Sequence, residues 1–119
     1  MNMKISFYQT QSNRCPVKEF IDELQPRDRA KVLACLKSVE ELGFNCPRVQ
    51  FRQIKGHLWE IKIKSASAGF RIFYVAAKGD NIVLLHSYQK QTDKAPVREI
   101  EVAEKRMIEV LKHEKNYTG

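Results

Sequence analysis

The spacing of apolar residues changes once along the chain, near residue 49, from a helical period to a period of two. Before that point, Ile5 to Tyr8 reads as a short strand. Cys15 to Leu24 reads as a short helix, with Pro16 at a position that suits the first helical turn and acids close behind it. Pro26 opens a second helix, in which Ala30, Leu33, Leu36, Val39 and Leu42 recur at spacing three beside Val32 and Ala34, and Gly43 supplies the stop. The two helices read as a hairpin.

Beyond Val49, Leu58 to Lys64 alternates so that Trp59, Ile61 and Ile63 share one face and Glu60, Lys62 and Lys64 the other. That is a half-buried strand with a basic outer face. Ser65 to Gly69 is turn sequence, and Phe70 to Ala76 is a second strand rich in aromatic and β-branched residues. Lys78-Gly79-Asp80-Asn81 reads as a hairpin turn into Ile82 to Tyr88, whose nearly unbroken apolar run suits a sheet centre. Thr92 to Ala95 offers capping residues, and Ile100, Ala103, Met107, Val110 and Leu111 then fall at helical spacing. The order β-α-α-β-β-β-β-α predicts an α+β fold: an antiparallel sheet, an N-terminal helical hairpin and a C-terminal helix. A chain of 119 residues suits a single domain spanning 1–119, with 115–119 frayed.

Composition narrows the partners. The chain carries 21 Lys+Arg against 14 Asp+Glu, a formal charge of +7. By segment the net charge is +2 over residues 1–50, +5 over 51–95 and 0 over 96–119, so the excess falls on the strand region. A basic sheet surface flanked by nearly neutral helices suits a polyanion. Cys15, Cys35 and Cys46 are odd in number and lack the paired spacing of a zinc site, which predicts reduced, packed thiols and no metal. The N-terminus lacks the apolar core of a signal peptide, and no run approaches the roughly 20 apolar residues of a membrane span. A cytoplasmic protein with no membrane association is expected.

Standard catalytic signatures are missing: no phosphate-binding glycine loop, no H-E-x-x-H and no G-x-S-x-G. His57, His86 and His113 are too dispersed to form a ligand set. What remains is Lys62, Lys64, Arg71, Lys90 and Lys94, with Tyr74, Tyr88 and His86 on nearby strands. Such a group suits binding of a phosphodiester backbone, and also its cleavage, because the 2′-OH of RNA is itself a nucleophile and cations stabilise the transition state. A lysine at its ordinary pKa of about 10.4 is a poor base at neutral pH, but repulsion between Lys62 and Lys64, two apart on one strand face, would lower it.

The ordered run Leu58-Trp59-Glu60-Ile61-Lys62-Ile63, then Phe70-Arg71-Ile72-Phe73-Tyr74, then Ile82 to Tyr88 followed by Lys90, Thr92, Lys94 and Pro96 to Ile100 resembles the RelE/HigB-like toxins of type II toxin–antitoxin systems, and more narrowly their phage-derived, host-inhibition branch. The resemblance runs from about Phe7 to Leu111. It implies helices packed on a twisted antiparallel sheet whose concave face holds the site, and an mRNA endoribonuclease acting without metal or other cofactor, commonly in the ribosomal A site. It also implies a cognate antitoxin, expected to be a helix-turn-helix protein. Carried over, the resemblance gives Arg71, Lys62, Lys64 and Lys90 to the basic site and Tyr88 to base stacking. On that basis Arg71 is expected to hold the scissile phosphate, Lys62 or Lys64 to assist deprotonation of the 2′-OH, and Lys90 or, from its strand position, His86 to support the leaving oxygen, with Lys94 as a further substrate-binding candidate. Gln91 stands where the second residue of a basic pair is usual. That departure keeps two rivals open, a non-catalytic ParE-like inhibitor or RNA-binding module, and an inactive phage remnant.

Overall fold

A computed structural model of the chain describes residues 2–92 and 94–118. In chain order the elements are β1 (Lys4–Phe7), α1 (Pro16–Asp22), α2 (Pro26–Leu42), a single 3-10 turn (Gly43–Asn45), β2 (Gln50–Lys55), β3 (Leu58–Lys64), β4 (Gly69–Ala77), β5 (Asn81–Gln89), α3 (Val97–Lys112) and α4 (Lys115–Thr118). Pro16 and Pro26 each stand at the first turn of their helix, where a missing N–H costs nothing. Gly79, at φ 73, lets the β4–β5 turn close in the left-handed region.

The five strands form one sheet in the order β1-β5-β4-β3-β2. β2 to β5 are an antiparallel meander, but β1 runs parallel to β5, with Ile5 opposite Ile82 and Phe7 opposite Leu84. The sheet is therefore mixed, not antiparallel throughout. The reason lies in β5, whose apolar run is buried on both faces and takes a partner on each edge; two intervening helices leave β1 free to join it in the parallel sense.

The expected N-terminal hairpin is corrected too. A strand opens the chain, and α1 packs on β5 more than on α2, so both helices cover one face of the sheet. The buried stripe of α2 is Val32, Cys35, Leu36 and Val39, while Leu33 and Leu42 from the spacing-three row are about half exposed, at 49% and 47%. A strict spacing of three drifts around a helix of about 3.6 residues per turn, so the i, i+3, i+4, i+7 set is the one that stays on the core side.

On that face Val17, Ile21, Val32 and Val39 meet Ile61, Ile63, Ile72 and Ile82. On the other, Ala103 and Val110 of α3 meet Phe73, Val75, Val83 and Leu85. The β4–β5 register shifts between Phe73 and Tyr74: Phe73 lies opposite His86 and Tyr74 opposite Leu84, leaving Leu85 as the extra residue of a bulge. The bulge brings His86 and Tyr88 to the face of Arg71 and Phe73, the α3 face. Residues 115–118, expected to fray, instead form α4, held where the Asn81 side-chain amide donates to the Tyr117 carbonyl at 2.7 Å. Gly119 lies outside the described residues. Among those described, no helix is long and apolar enough to cross a membrane.

Candidate functional site

The α3 face of the sheet is only partly covered by α3. Where the cover ends, the residues before β2, the end of β3, the 65–69 turn and the residue after β5 enclose a cleft of about 620 Å³. Arg48, Lys62, Lys64, Arg71 and Lys90 line it, and among the described residues no Asp or Glu does. The period of two points Lys62 and Lys64 to this face, and Arg71 is the direct cross-strand partner of Lys62. The Lys90 N–H donates to the Gly69 carbonyl at 2.8 Å, which pins the end of β5 to the start of β4. A Cβ at Gly69 would stand 3.3 Å from the Lys90 side chain, so the turn and the lysine pack closely there. A larger cleft of about 720 Å³ lies beside β1, α1 and α4, but it gathers none of these cations. Chemistry, not size, selects the smaller one.

Arg71 lies at the floor of the cleft and is 2% exposed. Its guanidinium donates to Oε1 of Glu60 at 3.0 Å, and Arg52 reaches the same oxygen at 2.7 Å. Glu60 is fully buried, and its Oε2 has no hydrogen-bond partner among the described residues. Sequence reading treats Glu60 as part of a wet outer face and Arg71 as open to substrate; the cross-strand register buries both and pairs them. Nothing in the spacing marks Glu60 or Arg52, because Arg52–Glu60 is a ladder pair between different strands. Arg48 is missed as well: it lies in irregular chain where no period assigns a face.

Lys62 is partly buried, and its amine is held below the ordinary lysine range. Burial is the first cause, followed by the Arg71 and Arg52 guanidiniums; the Glu60 carboxylate opposes them and Lys90 adds a little. The expected repulsion from Lys64 is not among these causes. Lys64 itself is exposed at the strand end. Tyr88, expected to stack a base, is 8% exposed and its ring is stacked on Phe73 at 5.7 Å, so it belongs to the core. Among the described residues its buried hydroxyl has no hydrogen-bond partner, and its pKa is pushed up, by burial first and then by Glu60.

His86 does not line the cleft. Its ring is stacked parallel to Phe73, with Nε2 2.8 Å from Glu99 and Nδ1 3.4 Å from Arg106. Arginine only donates, so Nδ1 accepts and Nε2–H points to the carboxylate, which occupies both nitrogens in fastening α3 to the sheet. Lys94 is exposed beside Arg52 and Ile54 in a separate shallow pocket. The structure thus brings together Lys62, Lys64, Arg71 and Lys90 of the expected set, buries Tyr88 across the ladder from Arg71 without its lining the cleft, and leaves His86 and Lys94 outside it. The three thiols are free, Cys35 and Cys46 buried and Cys15 partly so. Among the described residues no group of three His, Cys, Asp or Glu side chains could hold a metal ion.

A cation-lined cleft with one lysine of lowered proton affinity can bind a phosphodiester and take a proton beside it. The family described as Phage derived protein Gp49-like (DUF891) matches residues 19–108, which include every cation of the cleft. No curated protein matches the chain.

Proposed function

The chain belongs to the Gp49-like family of phage-derived proteins, within the RelE/HigB-like toxin superfamily, and from that premise we propose that it is the toxin of a toxin–antitoxin pair and cleaves mRNA. The observation that carries the reading is the cleft of Arg48, Lys62, Lys64, Arg71 and Lys90, in which Lys62 has an amine easier to deprotonate than an ordinary lysine. In this reading the neutral Lys62 amine takes the 2′-OH proton. The 2′-oxygen then forms a bond to the adjacent phosphorus, the P–O5′ bond breaks, and the leaving 5′-oxygen takes a proton from the Lys90 or Lys64 ammonium. The products are a 2′,3′-cyclic phosphate and a 5′-hydroxyl. Arg71 acts from the floor, adding fixed positive charge where the extra negative charge of the transition state develops, and needs no metal partner for that role.

The ribosomal A site is the setting in which such a small cleft would meet single-stranded mRNA, and an antitoxin, by family a helix-turn-helix protein, is the partner that would keep the cleft covered. Brief induction of the gene followed by mapping of RNA 5′ ends tests the reading. Discrete new 5′-hydroxyl ends that vanish with Lys62→Met support it, and growth arrest with intact transcripts overturns it. The latter result would favour a non-catalytic inhibitor, a reading supported by Gln91 in place of a second cation and by the engagement of His86 with Glu99.

A further inference from the structure

Glu60 shares a single oxygen, Oε1, between two guanidiniums, although arginine–carboxylate pairs frequently engage both oxygens. Its other oxygen is buried and has no partner among the described residues, an arrangement that stability alone does not reward. The side chain stands on the same strand face as Lys62, two residues and about 7 Å along β3. Around Lys62 lie Arg48 from the loop before β2, Arg52 from β2, Glu60 and Lys64 from β3, Arg71 from β4, Tyr88 from β5 and Lys90 just after it. Among the described residues Glu60 is the one acid in that set.

We propose that Glu60 is a positioning residue of the cleft: it fixes Arg52 and Arg71 beside Lys62 and, by offsetting their charge, sets the proton affinity of the Lys62 amine. The inference rests on the reading of Lys62 as the base. Its physical content is a balance of signs. Removing the carboxylate leaves Lys62 facing two uncompensated guanidiniums, which disfavours the ammonium. Removing Arg52 while Arg71 stays on Glu60 relieves one guanidinium, which favours it.

The test is a side-chain NMR titration of Lys62 in the full chain, run beside the pH–rate profile of cleavage of a short single-stranded RNA. Glu60→Gln moves the Lys62 titration, and the acidic limb of the rate, to lower pH; Arg52→Gln moves both to higher pH. A merely structural role would reduce the amplitude of the rate in both variants and leave the midpoints where they are. Unchanged midpoints, or shifts of the same sign, overturn the proposal. If Glu60→Gln fails to fold, Arg52→Gln decides alone, since it keeps the buried Arg71–Glu60 pair, and absence of an upward shift is then the overturning result. If the wild-type chain does not cut RNA, the ribonuclease reading falls, while the titration still decides the role of Glu60.

Discussion

Lys62 and Arg71 are direct partners across the β3–β4 ladder, yet Lys62 opens to the cleft while Arg71 is 2% exposed and bound to the buried Glu60. The two cations therefore differ in what their loss does. One change touches chemistry at the surface of the cleft, and the other removes the counter-charge of a carboxylate that has no access to water.

Among the described residues, Arg71→Ala leaves the buried Glu60 with only Arg52 for a partner. Breaking a buried pair from one side costs about 3 kcal/mol, which for a domain of this size lowers Tm by roughly 10 °C. Arg71→Lys keeps a charge but loses the planar fork, and a smaller fall is expected. Thermal unfolding followed by circular dichroism measures both. An alanine variant as stable as the wild type would contradict the buried-pair account, and any loss of cleavage in that variant counts only after its fold is verified.

Lys62→Ala and Lys62→Arg both remove the proposed base, the second without removing charge, so each should lose about 10²-fold or more in single-turnover cleavage. On the proposed mechanism the wild-type rate should rise with pH as Lys62 loses its proton, and level off at a lower pH than an ordinary lysine would allow, because burial and Arg71 disfavour the ammonium. Full activity in Lys62→Arg would rule out Lys62 as the base.

The parts of this arrangement that were legible in the sequence are those governed by period. Alternation put Lys62 and Lys64 on one face of a strand, and the Pro and Gly positions marked α1, α2 and the β4–β5 turn. What depends on register was not legible. The pairing of Arg52 with Glu60 joins residues of different strands, and the turn of His86 toward α3 depends on one extra residue at Leu85. Period alone also misjudged α2, where Cys35 fills a core position and Leu33 lies about half exposed. The parallel placement of β1 follows from what the edge of β5 lacks, a property of the assembled sheet and not of residues 4–7.

His86→Ala separates fastening from catalysis. The substitution removes the hydrogen bond to Glu99 and the stack on Phe73, and a loss of about 1–2 kcal/mol is expected. Amide hydrogen exchange should rise along α3 before it rises in β3. Cleavage per folded molecule stays within a few-fold of the wild type, because the ring does not line the cleft. A loss comparable to that of Lys62→Ala would return His86 to the catalytic set.

Salt dependence distinguishes cations that meet the RNA backbone from those held by Glu60. An oligonucleotide built with 2′-deoxy sugars lacks the nucleophile and stays intact, so its binding can be measured at equilibrium. Each phosphate contact on a single strand contributes about −0.7 to the slope of log K against log salt. Arg48 and Lys64 are exposed at the cleft, so Arg48→Gln and Lys64→Gln should each flatten the slope by about that amount, and the double variant by about twice it. Lys94→Gln, in a separate pocket, should leave the slope unchanged. The Arg52 side chain already satisfies a carboxylate at 2.7 Å, so its removal should change the slope less than removal of Arg48, although it carries the same charge. Equal effects at Arg48, Arg52 and Lys94 would mean that the RNA is held by the net charge of the whole surface and not by this cleft.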